Sequence, residues 1–167
     1  MNARQIEIAV ATLFNWRQNI IVPNVAWGWG LRHEADMVVL RRSGWAIEIE
    51  IKCTASDILA DLEKRVPHLD NCLIRQCYFA VPTKLVDNPN IPLQYGVIEI
   101  LENNAPDASW ARRARIIRPA SINRKARRTT EDEQRKLAEL GAMRIWALKQ
   151  KLELLRENHT ISHKTKA

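Results

Sequence analysis

The sequence predicts an α/β protein, with a central mixed sheet flanked by helices and a long C-terminal helix. Three observations lead there. Residues 34–52 carry two runs of alternating character around a Ser43-Gly44 turn signal, the pattern of a hairpin. Short apolar runs at 76–81 and 95–101 lie between turn-rich segments and read as further strands. Stretches at 3–17, 55–65 and 131–157 repeat apolar residues every three or four positions, the helical period. With 167 residues, one domain with its own core is expected, over residues 1–158. A polar, basic tail at 159–167 is expected to be disordered.

The first helix presents Ile6, Val10, Leu13 and Phe14 on one stripe. Residues 18–33, with Pro23, Trp27, Gly28, Trp29 and Gly30, read as a loop whose tryptophans cap a core edge, and His33 as a polar rim residue. Strand side chains alternate between faces. Met37 and Val39 therefore share one face, and Glu34, Asp36 and Val38 the other; Ile47, Ile49 and Ile51 oppose Glu48, Glu50 and Lys52. Reversal around Ser43 puts Asp36 opposite or diagonal to Glu50, with Cβ atoms roughly 4.5–8 Å apart.

Thr54 to Asp57 forms a capping-box signature before the second helix, with Ile58, Leu59 and Leu62 expected on the sheet. Asp57, Asp61, Glu63, Lys64 and Arg65 read as solvated helix surface, Pro67 lies beyond the helix end, and His68 caps or packs. Residues 83–94 and 103–108 read as loops, and Ala114 to Arg118 as an edge strand stopped by Pro119. Thr130 to Glu133 opens the long helix. Its stripe is Leu137, Gly141, Ile145, Leu148, Leu152 and Leu155, broadened by Leu140 and Trp146. That helix either packs on the sheet or uses its end as a homodimer contact.

The shared face of Asp36, Glu50 and Lys52 carries the chemistry. Clustered carboxylates repel and raise one another's pKa. A hard divalent ion removes the conflict, takes oxygen ligands and needs only one or two carboxylates. Such an ion makes a bound water a better nucleophile and stabilises charge on a phosphoryl oxygen. Lys52 can orient that water or neutralise a phosphate as a point charge. The plainer alternative is a solvated hairpin face with paired Glu and Lys.

The net charge of +7 favours a polyanionic partner. Basic residues concentrate at Arg112, Arg113, Arg115, Arg118, Arg124, Lys125, Arg127 and Arg128, with no acid between them. Such a run supplies sequence-independent, salt-dependent phosphate contacts, and could otherwise be a solvated connector. No apolar run is long enough for a membrane span, and the N-terminus lacks a secretory-signal pattern. Cys53, Cys72 and Cys77 read as reduced thiols of a cytoplasmic protein. His68, Cys72 and Cys77 fit no zinc-finger spacing and lack a fourth ligand.

Asp36 followed by Glu50-Ile51-Lys52 resembles the motif of the PD-(D/E)xK nuclease superfamily, with Ala35 in place of the Pro that names it. Over most of residues 5–155 the chain also resembles the MmcB-type DNA-repair proteins within that superfamily. His68 to Cys72, Cys77 to Pro82 and Tyr95 to Ile98 carry this likeness, together with the Arg/Leu-rich C-terminal helix. The resemblance implies a restriction-endonuclease-like core, ordered helix, three strands, helix, strand. It implies metal-dependent hydrolysis of DNA phosphodiesters, as endo- or exonuclease, with Mg²⁺ or Mn²⁺ on Asp36 and Glu50. Lys52 would position water, Glu48 would support or add a ligand, and Glu7 on the first helix would complete the metal set; an interaction of Glu7 with its helix dipole is the alternative. Two other classes compete with a nuclease: a non-catalytic nucleic-acid-binding module of the same fold, and a protein-interaction domain using the C-terminal helix.

Overall fold

The computed structural model describes all residues except Trp27, 64–70, 103–109, 111–112 and 165–167. The expectations for Trp27, Lys64, Arg65, Pro67, His68 to Asp70, Arg112 and the loop at 103–108 lie outside the described residues, as do those for the side chains of Leu62 and Glu63. The elements run α1 (Ala3–Leu13), β1 (Ile20–Val25), β2 (Ala35–Leu40), β3 (Ala46–Ile51), α2 (Ala55–Glu63), β4 (Ile74–Pro82), β5 (Gly96–Ile100), β6 (Ala114–Arg118) and α3 (Glu131–Lys164). The first six follow the order helix, three strands, helix, strand. One open sheet holds the strands in chain order, β1 to β6. The β1–β2, β2–β3 and β5–β6 pairs are antiparallel, and β3–β4 and β4–β5 are parallel. The sheet is therefore mixed, as the sequence predicts.

Local chemistry explains each boundary. The Asn2 side chain accepts from Gln5 N while Gln5 Oε1 accepts from Asn2 N, a capping box that starts α1. The helix ends four residues before the expected 17, where Asn15 takes φ 52°, a left-handed conformation Asn tolerates. The hairpin turns where expected: Gly44 has φ +81° and donates to Arg41 O. Thr54 and Asp57 cap α2 reciprocally, Asp57 N donating to Thr54 Oγ1 and Thr54 N to Asp57 Oδ2. Thr130 and Glu133 do the same for α3, and Arg127 clamps the Glu133 carboxylate.

Three differences from the sequence reading have physical causes. Residues 20–25 form a strand, not a loop. β1 is an edge strand, where Pro23 removes no donor that the sheet needs, so the proline that argues against a strand is tolerated. Leu59 is exposed, because α2 turns its Ile58 side and not its Leu59 side to the sheet. The α3 helix reaches Lys164, past the expected end near 157 and into the stretch expected to be disordered.

Two apolar layers enclose the sheet. On one face α1 sets Ile6, Ala9, Val10 and Phe14 against Met37, Val39, Ile47, Ile49, Tyr78, Ile98 and Ile100. On the other, Ile58 of α2 lies in a cluster with Cys77, Phe79, Val81 and Val97, while Leu137 of α3 joins Val22, Val38 and Leu40. Burying a side chain such as Leu137 stabilises by about 1.5–3 kcal/mol. Gly96 begins β5 under the Tyr78 ring; a Cβ there would lie 2.3 Å from Tyr78 side-chain carbons and 2.8 Å from the backbone nitrogen of Ala120. Tyr78 is packed between α1 and the sheet and cannot withdraw. Gly96→Ala should therefore destabilise by about 1–3 kcal/mol or more, as overpacking does. Urea unfolding checks this, and a wild-type midpoint would show that the β4–β5 contact is looser than the structure has it.

Candidate functional site

Alternation along β3 puts Glu48, Glu50 and Lys52 on the face that α2 covers. All three are buried, with relative exposures of 0, 4 and 7%. That excludes the solvated-hairpin alternative: an interior position needs charges to be paired or ligated. Lys52 Nζ donates to Glu50 Oε2 at 2.9 Å and to Asp61 Oδ1 at 2.8 Å. The lysine thus joins the end of β3 to α2. Glu50 Oε1 is buried and has no hydrogen-bond partner among the described residues.

The hairpin brings Asp36 to the same end of the sheet. Pairing of Met37 with Ile49 puts Asp36 and Glu50 at the next register position. Asp36 Oδ2 accepts from Ile51 N at 2.7 Å, so one carboxylate oxygen closes the strand end. Glu7 approaches from α1: partial burial first, then the charge of Asp36, raise its pKa, against an opposing contribution from Arg4. Across the β1–β2 connection, His33 Nε2 lies 2.5 Å from Glu48 Oε1. His33, Glu48 and Glu50 each offer a ligand atom within 4.8 Å of the others.

The electrostatics follow from burial. Glu50 is pushed up to about 7, by burial foremost and then by Asp36 and Glu48; Lys52 opposes the shift without cancelling it. Burial disfavours the charge on Lys52, but Glu50 and Asp61 outweigh it and raise its pKa. Lysine stays charged, and Glu50 is the member of the pair that can carry a proton near neutrality. The local excess of carboxylates, with one oxygen of Glu50 unpartnered, fits a divalent cation. Oxygen donors suit Mg²⁺ or Mn²⁺, and the His33 imidazole favours the transition-metal member of that pair.

The sequence reading therefore finds Asp36, Glu50 and Lys52 at one end of the sheet with Glu48 beside Glu50, while Glu7 is linked to them through the charge of Asp36. It misses two. Asp61, read as solvated surface, holds Lys52; its position three residues after buried Ile58 was the available signal. His33, read as a rim residue, faces Glu48, and nothing local in the sequence indicates that.

The basic run stands in two places: Arg115 and Arg118 on β6 lie level with Lys52 and Glu50 by register, across β4 and β5, whereas residues 123–129 lie at the other end of the sheet. Arg127 N donates to Cys72 O, Thr129 N to Gly44 O and Asn123 N to Arg75 O, which lays residues 123–129 along the ends where β3 and β4 begin. Glu50 and Lys52 lie at the far end of β3, roughly 15 Å away at about 3.3 Å per residue. Several of its cations already have neighbours: Arg115 pairs with Glu99 at 2.5 Å, Arg118 bonds the carbonyls of Tyr95 and Pro92, Arg113 stacks on Trp110, and Arg127 pairs with Glu133. Arg128 lies over the Trp45 ring. Arg124 and Lys125 are exposed.

No protein-family model matches the chain, and no curated protein matches it. A solved structure does. It is a protein of unknown function from Silicibacter pomeroyi, 16% identical, with a TM-score of 0.58 over 95% of this chain and 94% of that one. At that identity the likeness shows a shared fold.

Glu50 gives a pH test. Its folded pKa of about 7 stands above the ordinary 4.5, so the folded state holds a proton that the unfolded chain releases between those values. The resulting stability is fully present below about pH 4.5 and is lost as pH rises through about 7. In chelator, Glu50→Gln should exceed wild type in stability at pH 8, by on the order of 1–3 kcal/mol, and lose that advantage at pH 5. Denaturant unfolding at both pH values measures it; a pH-independent difference would mean that another group titrates.

Proposed function

We propose that this chain is a metal-dependent nuclease of the PD-(D/E)xK type, similar to the MmcB-type DNA-repair proteins, hydrolysing DNA phosphodiester bonds in repair or a related process. The observation that carries the reading is the buried Glu50, with one oxygen on Lys52 and the other unpartnered, beside Asp36 at the end of the sheet. Asp36 and Glu50 would hold Mg²⁺ or Mn²⁺, with Glu48 and His33 near enough to Glu50 to add to the set, and Glu7 in electrostatic reach of Asp36. When bound, the ion supplies an activated water and neutralises charge on the phosphoryl group. Lys52 then acts as a charged donor whose bond to Asp61 exchanges for a phosphate oxygen, while Glu50 keeps the ammonium in place. Arg124 and Lys125, at the opposite end of β3, suit contacts to a distant part of the backbone. The reading places the activity in the cytoplasm, where the free cysteines Cys53, Cys72 and Cys77 stay reduced. Among the described residues no helix is long and apolar enough to cross a membrane.

One observation favours a non-catalytic nucleic-acid-binding module. Lys52 is already neutralised by Glu50 and Asp61, an ion triad that can serve structure alone. Cleavage assays on single-stranded, duplex, flap and junction DNA, with Mg²⁺, Mn²⁺ or EDTA, separate the two. Cleavage should need metal and disappear in Glu50→Ala and Lys52→Ala while DNA binding persists; wild-type rates in both variants would end the nuclease assignment.

Metal binding has its own readout. Millimolar Mn²⁺ should raise the melting temperature of wild type, by the equivalent of about 2.7 kcal/mol where the ion is at a hundred times its Kd. An Asp36→Ala, Glu50→Ala double variant should show no rise, and equal shifts in both proteins would place the cation elsewhere. For DNA contacts, Arg124→Glu with Lys125→Glu should weaken binding to all sequences alike and flatten the log-affinity against log-salt slope by roughly 0.7–0.9 per lost contact. These two are chosen because Arg127 caps α3 through Glu133 and its loss would disturb the fold. An unchanged slope would make the segment a connector.

A further inference from the structure

The α3 helix divides into a docked half and a projecting half. Leu137 is fully buried, a Cβ on Gly141 would meet Val22 at 3.2 Å, and Arg144 Nη2 donates to Asn24 O at 2.6 Å. Every residue from 142 to 157 is exposed. The apolar stripe nevertheless continues: Ile145, Leu148, Leu152 and Leu155 are 57, 57, 48 and 57% exposed. Their spacing of three, four and three fits positions a, d, a and d of two heptads. At 100° per residue these four side chains span about 80°, a narrow coiled-coil seam, while the exposed Met143, Trp146 and Leu154 fall on a separate face of the helix and do not broaden it.

The flanks of that seam carry one sign of charge. Lys149 and Arg156 occupy e positions, and Arg144 and Lys151 occupy g positions. The acids Glu153 and Glu157 fall at b and f, away from the seam. Arg156 has an exposed 3.5 Å pair with Glu153, which is weak. A parallel second copy would set Arg144 against Lys149 and Lys151 against Arg156. An antiparallel copy would set e against e and g against g. Each pairing is cation against cation, and flanking charges decide partner choice in such seams.

We infer that residues 144–156 are a docking seam for an amphipathic helix of another protein, with Leu or Ile at its a and d positions and Asp or Glu at its e and g positions. Apolar burial along the seam supplies affinity, and the cationic rims select acidic flanks and reject a second copy of this chain.

The full chain is titrated with three labelled synthetic helical peptides. The first has Ile at a, Leu at d and Glu at every e and g; the second has Lys at e and g; the third keeps Glu at e and g but has Ser at a and d. Only the first should bind, and added salt should weaken it. Leu148→Asp with Leu152→Asp should weaken binding at least about tenfold, the equivalent of about 1.4 kcal/mol, with an unchanged melting temperature because both residues lie clear of the body. Lys149→Glu, Lys151→Glu and Arg156→Glu together should transfer binding to the Lys peptide. Equal binding of the Ser peptide would reduce the effect to charge alone and overturn the proposal. So would a sedimenting dimer that Leu148→Asp dissolves, or binding to phosphatidylserine vesicles without binding to the first peptide.

Discussion

The bond of Lys52 to two carboxylates is the interaction on which the rest depends. Lys52 leaves the end of β3 and reaches Glu50 on its own strand and Asp61 on α2. It is buried, and its charge persists because Glu50 and Asp61 outweigh the desolvation. The triad fixes how α2 lies over the sheet. Burial, with negative potential added by Asp36 and Glu48, is why Glu50 is pulled toward its protonated form. A buried carboxyl whose pKa is raised by burial and like charges is a candidate functional group.

The fold supplies this arrangement through the change of sheet direction at β3. The strand is antiparallel to β2 and parallel to β4, so the hairpin delivers Asp36 and the crossover delivers α2 to the same end. Cap residues Thr54 and Asp57 turn the chain immediately after Lys52, which keeps Asp61 within one side-chain length of the ammonium. The face toward α1 stays apolar throughout. The carboxylates of β3 are thus confined to one side of the sheet by the pleat, while Glu7 approaches from α1.

Positive charge is distributed by different rules. The chain holds eight cations between 112 and 128 with no acid among them, yet acids from other elements meet Arg115 and Arg127. Glu99 faces Arg115 across the β5–β6 ladder, and Glu133 accepts both ends of the Arg127 guanidinium. A run that looks uniform along the chain is divided, in space, into ion-paired members and an exposed remainder. The projecting half of α3 adds a second cationic surface, laid along an apolar seam.

Periodicity and capping signals determined much by themselves. They determine an α/β architecture, the Ser43-Gly44 hairpin, the capped starts of α2 and α3, and a shared face for Glu48, Glu50 and Lys52, because each depends on residues a few positions apart. Register in a hairpin is local too, so Asp36 beside Glu50 was legible. Only the tertiary structure decided that β1 is a strand, since an edge position forgives Pro23. It alone brought His33 and Asp61 to the cluster, split the basic segment between β6, level with the site, and the opposite end of β3, and divided the single stripe of α3 into a buried and an exposed half. These are matters of which surfaces meet across long sequence separations, and hydrophobic pattern says that a face will be covered without saying by what.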